Sequence, residues 1–470
     1  MRMSFLDPPR VLPPLDPGFR PIAIARRRFR ALVDGARTTS PLTLALEREG
    51  GQVSLYRTSV LADAHPQASA NAAYTERLLK SLLWQRGACR VFVAGPDSAV
   101  RALPETYSAR GERAFDAQFF SDVHGQSFVV ERVEEQHLPS PSEASRALGG
   151  DLRGHRIGFD AGGSDCKVAA VVDGQTLYAE EFAWQPKEQS DPEYHVAFVR
   201  GCIEKARSHL QRLDAIGISS AGIYVNNEVR VASLFRRVAR SDFDARIRSI
   251  YSDLAKEWGV PVEVANDGDV AALAGAMELG RGPLLGLALG TSLAAGFVDS
   301  QRRVLGWLNE LAFAPNDLAE NAPIDSEWSL DRGTAVQYLS QDAALRLALE
   351  SGLELAPGTR AEQLAELSRR ATEREPAALL VFESLGVYLG YALLDYTGFY
   401  GMRDVLLLGR VTSGVGGGVL VSAARRVLET EAPDLFFALN LHLPNEAQRR
   451  VGQAIAAASL PTLTASSETP

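Results

Sequence analysis

Cysteine is scarce in this chain: Cys89, Cys166 and Cys202 are the only three among 470 residues, and no two form a CxxC pair. That spacing excludes a disulfide framework and a cysteine zinc site, and it fits a reducing, cytoplasmic setting. Excess positive charge is missing too. Lys and Arg number 49 against 58 Asp and Glu, a formal net charge of −9, which speaks against a general nucleic-acid surface. The Arg26-Arg27-Arg28 run reads as a solvated helix face. No stretch reaches the roughly 18 uninterrupted apolar residues of a membrane span, and prolines interrupt the N-terminus before a signal core forms. A GxGxxG turn followed by a ribose-binding acid is also lacking, which disfavours a dinucleotide fold.

The chain holds 46% apolar residues, and its length calls for two or three domains. Residues 1–40, rich in Pro and Arg, read as an irregular arm with one short helix. Residues 41–150 read as a small α/β domain: two strands turning at Gly50-Gly51, a helix over 71–87 and a strand over 89–96. Residues 138–154 are polar and form the best linker. Beyond it, "RIGFDAGG", "KVAAVVDG" and "QTLYAEEFAW" are three strand signals, followed by helix, strand, helix, strand and a helix ending at Gly280. The pattern then restarts with "LLGLALGTS", "LAAGFVDSQ" and "RRVLGWLNE". Residues 162–175 match 289–301 with one gap, so two related lobes are expected, over 151–265 and 266–444.

Each lobe opens with a Gly-bearing hairpin, and two such hairpins facing across a cleft offer backbone N–H nests for phosphate. Gly162 and Gly163 let the main chain approach an anion and Ser164 adds a hydroxyl. Asp160 ahead of them needs an intervening cation, which makes it a holder of the water shell of Mg²⁺. Gly290, Thr291 and Ser292 offer the same chemistry without an acid. Phosphoryl transfer also needs a group that positions the acceptor and takes its proton. Asp267 ends a strand and begins a helix, where open α/β sheets bind ligands, although the same pattern serves as an N-cap. The Gly-rich bend over 409–418, between a buried strand and a helix, can bring backbone donors to a nucleotide.

In this order the four pieces resemble the actin, Hsp70 and hexokinase superfamily of ATPases, and within it the ROK sugar kinases and sugar-responsive repressors. "FDAGGSDCKVAAV" is similar to the first phosphate motif, with Ser164 for Thr and Lys167 as its basic residue. "VEVANDGDVAALAGAMELG" resembles the ROK stretch whose aspartate is the catalytic base, which implies that role for Asp267 and a sugar-hydroxyl ligand in Asn266. "LALGTSLAAGFV" resembles the second phosphate motif, and "LLLGRVTSGVGGG" the adenosine motif, with Gly409 and Gly414. "NEAQRRVGQAIAAASLP" is similar to the closing helix, here 445–460, that completes the first lobe. The resemblance runs from about residue 156 onward. It implies an α/β fold of two ribonuclease H-like lobes with an interlobe cleft, behind an N-terminal α/β extension. It also implies ATP and Mg²⁺, a sugar or polyol acceptor and a possible homodimer.

Departures from the pattern are equally definite. Ser292, Leu293, Ala294 and Ala295 replace glycines of the second motif, so a bend requiring φ > 0 is strained or differently shaped. Glu310 keeps the sugar-holding position, but Phe313 stands where the family has a zinc-binding histidine. The zinc cluster is lacking, so no structural zinc is expected. A second sugar-contacting glutamate aligns near Val336. Arg410 replaces an adenosine-motif glycine and either blocks a purine or binds a phosphate. The expectation is an ATP-dependent kinase of a sugar or polyol, the alternative a non-catalytic sugar or nucleotide sensor. The N-terminal hairpin, helix and strand suggest a truncated copy of a lobe.

Overall fold

A computed structural model of the chain describes residues 5–143, 148–163, 165–443 and 449–463. They form two compact units, one of residues 5–143, 287–295 and 307–443, the other of residues 148–163, 165–286, 296–306 and 449–463.

In the first unit the N-terminal segment forms a sheet in the order β2-β1-β3-β4: β1 (Thr39–Arg48), β2 (Gln52–Leu61), β3 (Arg90–Ala94) and β4 (Val129–Arg132). The β1–β2 hairpin turns where expected, through Gly50 and Gly51 at φ of 75° and 72°. After the helix Ala70–Arg86, β3 returns antiparallel to β1.

The second unit carries a sheet in the order β11-β8-β5-β6-β7: β5 (His155–Ala161), β6 (Asp165–Val172), β7 (Gln175–Ala183), β8 (Ala215–Ser220) and β11 (Val262–Asn266), with a small β9 (Ile223–Val225) and β10 (Glu228–Val231) hairpin apart from it. The first three strands form an antiparallel meander, and β8 and β11 then add parallel to β5. The number of meander strands decides this direction. Three strands leave the chain at the end where β5 finishes, and the helix Pro192–Arg207 carries it back for a parallel return. Two strands leave it at the start of β1, and its helix brings β3 in antiparallel. The N-terminal sheet repeats the strand order of that lobe and its parallel last pair, but β3 runs antiparallel to β1 where β8 runs parallel to β5, so the expected truncated copy holds in order and not in direction.

A third sheet, β13-β12-β14-β15, joins β12 (Leu284–Leu289), β13 (Leu293–Val298), β14 (Asp404–Leu408) and β15 (Asn440–His442). Its order repeats β6-β5-β8-β11, and β14–β15 is parallel as β8–β11 is, so the internal echo in the sequence reflects a repeated topology. The strand expected over "RRVLGWLNE" does not form. Arg302, Gly306 and Asn309 adopt φ of 61°, 68° and 52°, leaving only isolated bridges from Val304 to Val298 and Leu148.

The N-terminal segment, expected as an arm and a separate domain, shares one compact unit with β14 and the helices around it. Its attachments are specific. Arg26 forms a buried ion pair with Asp395 at 2.8 Å. The hydroxyl of Tyr388 donates to Asp16 at 2.7 Å. Both partners lie on the helix Pro376–Tyr396, which is long and apolar enough to cross a membrane but is mostly buried within this unit. The expected boundary near residue 265 also moves, because the helix Asp267–Leu279 belongs to the unit of β5.

In that unit the closing helix Arg449–Ala458 lies directly on the sheet. A Cβ at Gly158 would stand 1.7 Å from the carbonyl oxygen of Ala454, and one at Gly217 1.7 Å from that of Ala457. The buried Arg156 fastens the helix end by donating to the carbonyls of Ala458 and Pro461 at 3.1 and 2.7 Å. Because the obstacle is main chain, Gly217→Ala is expected to destabilise this unit by about 3 kcal/mol, the upper part of the overpacking range. Urea unfolding measures that loss, and limited proteolysis near residue 449 reports whether the helix detaches.

Candidate functional site

The acids singled out in the sequence stand at the carboxyl ends of two parallel strands, β5 and β11, with β8 between them. Register places Asp160 of β5 opposite Ser219 of β8, and Ser219 opposite Ala265 of β11. Strand spacing thus separates Asp160 from the end of β11 by about 10 Å. The Asp160 carboxylate is buried and accepts a hydrogen bond from Ser219 Oγ at 2.7 Å. Burial pushes its pKa up to about 6; Ser219 and Lys167 oppose the rise, while Asp267 and Asp165 add to it by like-charge repulsion.

Asn266 caps the next helix, accepting from the amide of Gly268 at 2.8 Å, while its Nδ2 donates to the Gly222 carbonyl at 2.8 Å. Its amide is thus partly committed to the fold. Asp267, half-buried, opens the helix, and its Oδ1 also accepts from Gly268 N at 3.0 Å. Burial raises the Asp267 pKa against that bond and against the charge of Lys187. Gln453 of the closing helix connects the two acids, donating from Nε2 to Ser219 Oγ at 3.2 Å and to the Asp267 carbonyl at 3.1 Å. The sequence reading missed both Ser219 and Gln453. Ser219 belongs to no motif and Gln453 was read only as part of the closing helix; the register of β8 and the return of the C-terminus bring them here.

The corner after β5 is main chain packed on main chain. A Cβ at Gly162 would lie 2.7 Å from the Asp165 carbonyl oxygen, and Trp184 Nε1 donates to the Gly162 carbonyl at 2.8 Å. Ser164 lies outside the described residues. Lys167, read as the basic residue of this motif, is ion-paired with Asp165 at 2.7 Å. At Gly163 no Cβ and no main chain stands in the way of an approaching anion, and the buried Asp160 gains by acquiring a cation. Those features fit a metal-bound phosphate.

The first unit holds the other motifs. Gly290, Thr291 and Ser292 join β12 to β13 without any positive φ, so the altered motif forms a differently shaped bend. The Gly290 amide is used inside it, donating to the Ser292 carbonyl at 3.0 Å, whereas the side chains of Thr291 and Ser292 are exposed. Gly409 has φ of 93°, and a Cβ there would stand 2.2 Å from the Leu289 carbonyl oxygen, so the adenosine-motif turn packs against the end of β12. Arg410 follows with its side chain exposed, and Gly414, at φ of 63°, begins the helix Gly414–Glu431. Glu310 is half-buried and precedes the turn Leu311–Phe313; Val336 lies in the turn Ala335–Gln337. Phe313, at the zinc-ligand position, packs against Trp84, Phe115 and Phe119 of the N-terminal segment, with ring centroids at 4.5, 5.9 and 6.1 Å. An aromatic cluster stands where the resemblance has a metal ligand. Among the described residues, no group of three or more His, Cys, Asp or Glu is placed to hold a metal ion.

No family model matches the chain. A curated relative, kanosamine kinase of Amycolatopsis mediterranei (strain S699), is 28% identical over 149 residues, which is 31% of this chain and 46% of that protein, so the match spans about half the relative's length. Among solved structures, the ROK hexokinase from Thermus thermophilus aligns with a TM-score of 0.50 at 21% identity, over 65% of this chain and 96% of its own. A ROK family transcriptional regulator, a homolog of the E. coli MLC protein, aligns with a TM-score of 0.53 at 17% identity, over 65% and 78%. At these identities the likeness shows the fold alone, that of the ROK proteins.

Proposed function

We propose that this chain, which carries the fold of the ROK proteins, is an ATP-dependent phosphotransferase acting on a hydroxyl of a sugar or sugar-like polyol. One observation carries the reading: a buried carboxylate, a Cβ-free corner and a second carboxylate with a raised pKa lie together at the strand ends of one unit. The kanosamine kinase match supports the same chemistry.

In this reading the amides of the Gly162–Gly163 corner take the phosphate end of ATP. Asp160 orients the waters of Mg²⁺, whose charge offsets that of the phosphates. Asn266 orients the acceptor. Asp267 accepts the proton of the attacking hydroxyl as its oxygen bonds to the γ-phosphorus. The bond to the β-phosphate oxygen breaks, and ADP leaves with the electron pair. A raised pKa makes Asp267 a better proton acceptor than a solvent-exposed carboxylate.

The alternative, a sensor that binds ligand without turnover, is favoured by the bend at Gly290, whose amide is spent on Ser292. ATP consumption and phosphorylated product, measured across a panel of sugars and polyols with Mg²⁺, separate the two readings. An acceptor-dependent product establishes the kinase. Nucleotide or sugar binding without product across the panel establishes the sensor.

A further inference from the structure

A different ammonium from the expected one stands at the phosphate corner. Lys187 lies in the turn Pro186–Glu188 just after β7, with Nζ 3.2 Å and Cε 3.4 Å from the position a Cβ on Gly163 would occupy. A Cβ at residue 163 would push it back by a few tenths of an ångström. Lys167 is held by Asp165, whereas Lys187 is half-buried and makes no ion pair among the described residues. Its charge acts on Asp267, the acid at the end of β11. The turn is fixed to the corner, since Trp184, three residues earlier, donates to the Gly162 carbonyl at 2.8 Å and Pro186 is buried. Arg236 and Arg237 brace it from outside, reaching the carbonyls of Lys187 and Glu188 at 3.5 Å each.

We propose that Lys187, and not Lys167, is the cationic ligand of the transferred phosphoryl group at the Gly162–Gly163 corner. The inference rests on the kinase reading and deepens it by assigning a charge that no motif supplies. With Lys167 paired to Asp165, the corner is short of a fixed positive charge to meet developing negative charge. An ammonium poised over a Cβ-free corner restores one. As the bond to the leaving diphosphate breaks, negative charge spreads over the oxygens in transfer, and a positioned cation stabilises that state more than the ground state.

The test uses the full-length chain and its Lys187→Met and Lys187→Arg variants, with the thermal midpoint confirming the fold. Two quantities are read: affinity for inorganic tripolyphosphate with Mg²⁺ by calorimetry, and kcat and KM with ATP and an acceptor. Methionine is expected to weaken tripolyphosphate binding at least tenfold. It should also lower kcat by about 10²- to 10³-fold with the acceptor KM unchanged, the scale of losing one electrostatic donor. Arginine should recover part of both losses. A Lys187→Met protein with parental affinity and turnover overturns the assignment and leaves the kinase reading intact. If the parental chain binds tripolyphosphate but phosphorylates nothing, the kinase reading falls, and the affinity ratio alone decides for or against Lys187. A parental chain that does not bind tripolyphosphate overturns both.

Discussion

Asp267→Asn is expected to lower kcat by about 10²- to 10⁴-fold, the usual contribution of a general base, while nucleotide affinity stays within about twofold of the parent. The substitution is close to isosteric. The asparagine carbonyl still accepts the Gly268 amide that Asp267 Oδ1 accepts at 3.0 Å, so the helix start is preserved. Only proton acceptance is removed. Single-turnover measurements with saturating ATP and acceptor isolate the chemical step. A variant that phosphorylates at the parental rate removes Asp267 from the role of base, and one that no longer binds ATP points to a structural role instead.

Asp160→Asn is expected to abolish Mg²⁺-dependent nucleotide binding and, in the same protein, to raise thermal stability near pH 7.5. The sign follows from the raised pKa. With a folded-state value of about 6 against 3.8 as reference, the fold favours the neutral carboxyl. That stabilisation is complete below about pH 4 and is lost as pH rises through about 6, so the ionised group costs up to about 3 kcal/mol at neutral pH. Asparagine remains neutral and still accepts from Ser219. At about 2–4 °C per kcal/mol, the gain is readily measured by calorimetry at pH 7.5 and should vanish at pH 4. The same titration governs activity. Asp160 must ionise to hold a metal and Asp267 must ionise to take a proton, so kcat/KM of the parent should climb with pH across about 6. A variant no more stable than the parent at pH 7.5, or a flat profile across that range, contradicts the buried-acid picture.

Much of the candidate site was legible because its signals are local. Gly162, Gly409 and Gly414 sit at bends that a Cβ would block or strain, and Asn266 is a cap that announces its helix. Strand and helix periodicity marked most elements of both lobes. The misreadings share a cause. "RRVLGWLNE" has the composition of a strand, yet three left-handed residues break it. A separate feature was equally invisible: Lys167 has its place in the motif, and an ion pair with Asp165 two residues away. Composition and motif position do not report what a neighbouring side chain or an off-strand φ will do.

By itself the sequence determined the two hairpin corners, the duplicated strand order and the acids at positions 160 and 267, because turns, caps and periodicities are properties of a few consecutive residues. Tertiary structure alone decided the rest. It joined residues 5–143 to the unit of β14 through Phe313 and Asp395, moved the helix of Asp267 to the unit of β5, and brought Ser219, Gln453 and Lys187 around the two acids. These contacts join residues from tens to hundreds of positions apart. They depend on which buried faces fit together, and no local window of sequence contains that information.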